Sequence, residues 1–168
     1  STILGNDDQD AEFERLFCYG GRSFSIWTAD TGNQVHYSGS QMAQQIASQT
    51  PDVFNAYDAS SSNSDNRSDD KGAEPEGITI GPLGKRYYAF VGLERVGGVM
   101  TYNVTDPQAV SFEVYQPSTD GDIAPEGLLF IHAEDHSSAQ NLLLVSHEDS
   151  GTIAIYAVID RVFSNGFE

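Results

Sequence analysis

The sequence repeats itself, and this repetition narrows the folds that it can adopt. Residues 74–80 (EPEGITI) match residues 124–130 (APEGLLF), at a spacing of about 50 residues. The match resumes further on, where residues 99–104 (VMTYNV) align with residues 153–158 (IAIYAV). A weaker third copy begins at residues 24–27 (FSIW). Such a period is typical of folds built from small, similar units that stack on one another.

Each unit is predicted to consist of β-strands joined by tight turns. Gly84 and the pair Gly97 and Gly98 supply residues that tolerate the left-handed backbone of such turns. The middle unit predicts strands at about 77–81, 86–93, 98–104 and 111–115, the last unit at 127–131, 141–147 and 152–159, and the first at 23–28 and 34–37.

Several of these strands are apolar on both faces. Ile153 and Ile155 alternate with Ala154 and Tyr156, whereas a sheet with one wet face alternates apolar with polar residues. Four-stranded units of about 50 residues that are covered on both faces are typical of β-propeller blades. The pattern predicts an all-β chain of about two and a half four-stranded blades; a β-sandwich is the alternative.

The predicted organisation follows from these units. Residues 1–39 form the end of one blade, 40–73 an insertion, 74–117 and 118–160 two further blades, and 161–168 a tail. The insertion starts with a short helix that Ser40 caps and Pro51 ends. Since propellers have about four to eight blades, we expect the missing blades to come from a longer form of the protein or from another copy of the chain.

Charge and composition exclude several classes of function. Lys and Arg number 8 against 25 Asp and Glu, which gives a net charge of −17 and disfavours binding to nucleic acid or to anionic membranes. No segment has the length of apolar residues that a membrane span requires. Cys18 is the only cysteine, so an internal disulfide is impossible.

Four motifs resemble those of the choice-of-anchor I family, which is related to the mesenchyme-specific cell-surface glycoproteins of biomineralising animals. They are residues 65–77 (DNRSDDKGAEPEG), 20–27 (GGRSFSIW), 92–98 (GLERVGG) and 124–127 (APEG). The resemblance runs from about Leu4 to Val158. It implies a seven-bladed propeller of which this chain is the C-terminal part. Many members are labelled alkaline phosphatase, but the resemblance supplies no catalytic residue.

The tail and two departures complete the comparison with that family. Residues 162–168 (VFSNGFE) resemble the ends of many secreted gammaproteobacterial proteins, so we expect a secreted, extracellular or cell-surface bacterial protein. Residues 116–121 look shorter than the family pattern. His132, His136 and His147 stand where other residues are expected; a zinc or copper site is one interpretation, and exposed loop histidines are the other.

The acidic part of the insertion predicts a calcium site. Five carboxylates fall between residues 65 and 76, opposed only by Arg67 and Lys71. So much negative charge needs a cation or basic neighbours to hold it together, and Ca²⁺ suits irregular loops rich in oxygen ligands. Glu126 joins the set because it is the repeat equivalent of Glu76. The predicted ligands are Asp65, Asp69, Asp70, Glu74, Glu76 and Glu126.

These observations favour a calcium-binding module that acts in surface, matrix or mineral interaction. The alternative is a calcium-dependent phosphoesterase of the phytase or alkaline phosphatase type. The chain lacks a Gly-x-Ser-x-Gly elbow and a Gly-x-x-x-x-Gly-Lys loop, which disfavours α/β-hydrolase and P-loop chemistry. We also expect Trp27, Tyr102 and Tyr156 to be buried packing residues at equivalent strand positions.

Overall fold

A computed structural model describes residues 20–119 and 121–159 of the chain. Within these residues it contains three antiparallel sheets and one short helix, which confirms the all-β prediction. The first sheet comprises β1 (Ser25–Trp27) and β2 (Gln34–Tyr37), and α1 (Gln41–Gln49) follows it. The second comprises β3 (Pro75–Leu83), β4 (Arg86–Leu93), β5 (Val99–Asn103) and β6 (Ser111–Gln116). The third comprises β7 (Pro125–Ile131), β8 (Asn141–His147) and β9 (Thr152–Val158).

Each sheet is a simple meander, as expected for consecutive propeller blades. The order is β3-β4-β5-β6 in the second sheet and β7-β8-β9 in the third, so neighbours in sequence are neighbours in space. Gly84 reverses the chain between β3 and β4 with a φ of +62°, a conformation that costs glycine little. Three single 3₁₀ turns, at Pro51–Val53, Ser61–Asn63 and Ala133–Asp135, lie in the connections.

The second and third sheets pack face to face through their first strands. Phe90 and Phe130 stack with ring centroids 5.8 Å apart. The chain approaches closely where β3 has glycines: a Cβ on Gly81 would lie 2.3 Å from the Phe130 ring. Around these contacts Tyr88, Val99, Leu143, Val145 and Val158 complete a buried cluster. The interface therefore depends on a large side chain of the third sheet that packs where a glycine of the second sheet has no side chain.

The opposite face of the second sheet is covered by the first sheet and by α1. Tyr102 is fully buried there and packs against Phe24, with ring centroids 4.8 Å apart. The helix contributes Met42 and Ile46 from its apolar side. Ser40 does precede the helix, but the predicted side-chain cap is wrong, because its hydroxyl accepts from the Gln44 side chain at 3.0 Å and bonds no backbone amide of the helix.

Not every apolar strand face is covered. Ile153 and Ile155 on β9 are 67% and 63% exposed, so within the described residues the third sheet is covered on one face only. Tyr102 confirms the packing prediction, but Trp27 contradicts it because its side chain is 57% exposed. The indole N–H of Trp27 donates to the Ser25 hydroxyl at 2.8 Å. Tyr156 is half-buried.

Two features of the sequence lie outside the described residues: Cys18 and the tail 161–168. In the part of the chain that the structure describes, no helix is long and apolar enough to cross a membrane.

Candidate metal centre

Three glutamates meet where β3 begins and β4 ends. Pro75 pairs with Leu93 in the antiparallel ladder, so Glu74 and Glu94, which flank this pair, are brought side by side. The Glu94 amide donates to the Glu74 carbonyl oxygen at 2.9 Å. Carboxylate oxygens of Glu74, Glu76 and Glu94 lie within 4.8 Å of one another, and we call these three residues the glutamate cluster. Glu74 and Glu94 are buried, whereas Glu76 is exposed.

The backbone that positions this cluster is repeated in the next sheet. Glu74 has a φ of +50° and its repeat equivalent Ala124 a φ of +62°, a left-handed conformation that is uncommon for residues other than glycine. The Glu148 amide donates to the Ala124 carbonyl oxygen at 2.8 Å, as Glu94 does to Glu74. The kink is therefore a property of the repeat. The backbone at position 74 does not depend on the charge of Glu74, because the uncharged Ala124 adopts the same conformation.

Basic side chains converge on Glu74. Arg67 forms a short ion pair with it, Lys71 lies at 3.2 Å, and Arg95 at 3.6 Å. Arg95 also contacts Glu94 at 2.5 Å. Its guanidinium lies 4.9 Å from the centroid of the Tyr57 ring, where a cation gains from the ring's negative face. Glu74 is thus held by protein cations before any metal is considered.

These contacts move the pKa of Glu74 down. Burial alone would raise the pKa of its carboxyl, but hydrogen bonds from Arg67 and Lys71 and the charge of Lys71 outweigh burial and lower it. For Arg95, burial would lower the pKa, but the charges of Glu94 and Glu74 outweigh it and raise the pKa. Both groups are charged at neutral pH.

Glu94 behaves in the opposite way. Burial, followed by the hydrogen bond and charge of Glu76, raises the pKa of Glu94 to about 8, although the charge of Arg95 acts against this. Near pH 7 its carboxyl is therefore mostly protonated. A carboxyl whose pKa is raised by burial, and further by an exposed carboxylate beside it, is a position where a cation can replace the proton.

The predicted ligands Asp65, Asp69, Asp70 and Glu126 are not part of this cluster. Asp65 accepts a short hydrogen bond from the Ser68 hydroxyl, and Asp70 forms an ion pair with Arg67 at 3.1 Å. Asp69 and Glu126 are exposed, and Glu126 lies on the third sheet. Of the six predicted ligands the structure brings together two, Glu74 and Glu76.

Basic side chains contact the acidic insertion from several sides. Arg22 donates to the carbonyl oxygens of Ser68 and Asp70 at 2.8 and 2.7 Å, and Arg67, Lys71 and Arg95 bind the side chains described above. Four of the chain's eight Lys and Arg residues thus serve this segment. Because the protein has few basic residues, the gathering of four of them here shows that the negative charge of this segment is balanced by the protein itself.

The three histidines lie in different environments. His132 contacts the edge of Phe130, with centroids 5.2 Å apart, and His136 bonds the Gln140 carbonyl oxygen at 2.7 Å. His147 is buried in β8, so the interpretation of all three as exposed loop residues is wrong. Among the residues that the structure describes, the histidines join no cluster of metal-ligating side chains.

Sequence reasoning missed Glu94 as a member of the site. The signal was available, because Glu94 and Glu148 occupy equivalent strand ends and Glu94 directly precedes Arg95. Arg95 pairs with the carboxylates of both Glu74 and Glu94. The sequence does not reveal that Pro75 pairs with Leu93, and this pairing is what places Glu94 beside Glu74.

Consecutive antiparallel sheets, stacked face to face and entered through the same left-handed kink, define a segment of the β-propeller class. The chain belongs to the choice-of-anchor I domain family, whose model matches residues 1–107. It is also 31% identical over 170 residues to Gigasin-3a of Magallana gigas. That match covers 89% of this chain and 60% of the relative, so the chain spans less than two thirds of the relative's length. No solved structure matches it.

Proposed function

We propose that the chain is part of an extracellular or cell-surface propeller that binds calcium at the glutamate cluster and uses it in contacts with a surface, matrix or mineral. Family membership supports the surface association. The single observation that supports calcium binding is the approach of three carboxyl groups to within 4.8 Å, two of them buried and one exposed.

Glu76 and Glu94 are the ligands on which this proposal depends. Arg67, Lys71 and Arg95 already pair with both carboxylate oxygens of Glu74, so Glu74 is the least available of the three. Glu76 is exposed and therefore gives solvent access to the cluster. Calcium takes six to eight oxygens and tolerates irregular geometry, so water can complete a shell that two or three carboxylates begin. Ligation by Asp65, Asp69, Asp70 or Glu126 stays a prediction.

Calorimetric titration with calcium chloride tests the proposal. We expect saturable binding that releases protons and strengthens as the pH rises from 6 to 8, because calcium must displace the proton of Glu94. Glu94→Gln and Glu76→Gln should each weaken binding at least about tenfold, since each removes a charged ligand.

The repeat provides matched controls. Glu126→Gln and Glu148→Gln change the equivalent positions of the third sheet, outside the cluster, and should leave affinity unchanged. If millimolar calcium produces no heat and no shift in melting temperature, calcium binding at the glutamate cluster is ruled out. If Asp69→Asn abolishes binding while Glu94→Gln does not, the site lies on the insertion.

The phosphoesterase alternative is tested on the same samples. Hydrolysis of p-nitrophenyl phosphate or phytate that requires calcium and is lost in Glu76→Gln would assign catalysis to the cluster. Hydrolysis that persists in that variant would point to another site or to a contaminating enzyme.

A further inference from the structure

Arg95 is the basic side chain that touches the more available part of the glutamate cluster. Its Nη2 atom lies 2.5 Å from Oε1 of Glu94, and its Nε atom lies 3.6 Å from Oε2 of Glu74. Of the ion pairs that the structure describes in the cluster, those of Arg67 and Lys71 are with Glu74. Because the proposed calcium site depends on Glu94, Arg95 is the cation that already occupies one of its ligand oxygens.

The charges around the cluster are nearly balanced before any metal binds. Four carboxyl groups, three in the glutamate cluster and one on Asp70, face three cations, those of Arg67, Lys71 and Arg95. Calcium brings two further positive charges to a partly buried site, where like charges repel more strongly than in water. Binding therefore favours the departure of one resident cation, and the departure of Arg95 is the one that frees an oxygen of Glu94.

The side chain of Arg95 can move while its backbone stays in place. The Arg95 amide donates to the Ala73 carbonyl oxygen at 3.2 Å, and the Ala59 amide donates to the Arg95 carbonyl oxygen at 3.0 Å. The Nε atom is buried and donates no hydrogen bond in the part of the chain that the structure describes, so the guanidinium is incompletely satisfied where it lies. The Tyr57 ring, 44% exposed, supports the guanidinium at 4.9 Å.

Asp149 of the third sheet offers the guanidinium another partner. It is the repeat equivalent of Arg95 and lies in the turn between β8 and β9. Its side chain is exposed and is in no ion pair among the described residues. Burial would lower the pKa of Arg95, but the charges of Glu94 and Glu74, with that of Asp149 among the further causes, raise it. Asp149 therefore lies close enough to attract the guanidinium.

We propose that Arg95 is the resident cation of the glutamate cluster, which calcium displaces from Glu94 and which then pairs with Asp149. This proposal rests on the proposed calcium function and deepens it, because it assigns the residue that sets the affinity. Without calcium, the ion pairs of Arg95 stay at the edge of the second sheet. With calcium bound, Arg95 joins the second sheet to the third, so the ion strengthens the contact between them.

Calorimetric titration with calcium chloride at pH 9 tests the displacement. This pH lies above the pKa of Glu94, which is about 8, so proton competition is small and the effect of the guanidinium is isolated. Arg95→Gln removes the charge and should bind calcium at least about tenfold more tightly than the original chain. Arg95→Lys keeps the charge and should change the affinity by less than about threefold. A merely structural role of Arg95 would instead weaken binding in both variants.

Asp149 provides a second test that leaves the cluster intact. Asp149→Asn removes the partner of the displaced guanidinium and should weaken calcium binding by about threefold or more. Glu148→Gln, at the neighbouring exposed position, is the matched control and should leave the affinity unchanged. In the Arg95→Gln background Asp149→Asn should have no effect, because no guanidinium is left to receive. An effect that persists in that background would be a general effect of charge and would overturn the pairing with Asp149.

The outcomes separate this proposal from the calcium function. If the original chain binds calcium and Arg95→Gln binds it no more tightly, the proposed function stands and the role of Arg95 is overturned. If only Arg95→Gln binds calcium, Arg95 is the occupant of the site, and calcium binding by the original chain is overturned. If neither binds calcium, both proposals are overturned.

Circular dichroism establishes that each variant is folded before its affinity is compared. If Arg95→Gln does not fold, the exposed positions decide, because substitutions there leave folding intact. Weaker binding in Asp149→Asn than in Glu148→Gln then supports the proposal, and equal binding in the two overturns it.

Discussion

The hydroxyl of Tyr115 donates a 2.8 Å hydrogen bond to the carbonyl oxygen of Gly97. Tyr115 is on β6 and Gly97 is in the turn between β4 and β5, so the bond ties the edge strand to a turn of the same sheet. Both residues are buried. Burial raises the pKa of Tyr115 to about 12, so the hydroxyl remains a donor throughout the physiological range.

Tyr115→Phe should therefore lower the free energy of unfolding by about 1 kcal/mol, with a further loss from the carbonyl left buried without its partner. Urea denaturation measures this. Tyr87→Phe is the matched control, because Tyr87 is 54% exposed, and it should change stability by less than about 0.5 kcal/mol. Equal effects of the two changes would show that the hydrogen bond is not the cause.

Tyr102 and Trp27 should respond differently to truncation. Tyr102→Ala removes a fully buried ring from the contact with Phe24 and should cost about 3–5 kcal/mol. Trp27→Ala removes a ring that is mostly exposed and should cost about 1 kcal/mol or less. Thermal unfolding of both variants checks this; a large loss for Trp27→Ala would mean that its ring is covered in solution.

Stability should fall as the pH rises from about 4.5 to 8. The pKa of Glu94 is raised from its ordinary value of 4.5 to about 8, so over this interval the folded state binds a proton that the unfolded state has lost. The stabilisation is complete below the unfolded pKa and is lost as the pH passes the folded one. Glu74, with its lowered pKa, acts oppositely and contributes stability that is lost below about pH 4.5.

Denaturation midpoints across pH 4 to 9 measure this dependence, in a buffer that contains a calcium chelator. Glu94→Gln should flatten the curve between 4.5 and 8 and leave its acid limb in place. A slope that survives this substitution would assign the titration to another group.

Two glycines separate backbone strain from steric conflict. Both Gly84 and Gly98 have positive φ, +62° and +85°, but a Cβ on Gly84 meets nothing within 4 Å, whereas on Gly98 it would lie 2.3 Å from the Gln116 carbonyl oxygen. Gly84→Ala should cost about 1–2 kcal/mol from conformation alone. Gly98→Ala should cost clearly more, because β6 must move. Chemical denaturation of the pair decides this.

The repeat made most of the fold predictable. Matching residues 74–80 with 124–130 placed β3 and β7, and the glycine turns placed the strands that follow. The exposure of Ile153 and Ile155 was not predictable, because an apolar face in sequence reveals the need for a neighbour but not whether the neighbour is in the same chain. The burial prediction for Trp27 was wrong for the same reason. Its position in the repeat predicts a place on a strand, but not whether another part of the protein covers that side chain.

The site was predictable only in part. The density of acidic residues indicated that the site lies near the insertion. It could not distinguish carboxylates that form salt bridges from a carboxyl that keeps its proton. That distinction depends on ladder register, which sets Glu94 beside Glu74, and on burial, which raises the pKa of Glu94.

Glu74 and Ala124 share the same left-handed backbone conformation, so the two sheets carry different side chains at this position on the same backbone. Because the backbone there is set by the repeat, the side chain is free to be a buried anion in one sheet and a methyl group in the next. A ring built this way need not be uniform. Within the described residues the glutamate cluster belongs to the second sheet alone, so adjacent sheets of the same repeat present different chemistry at the same backbone position.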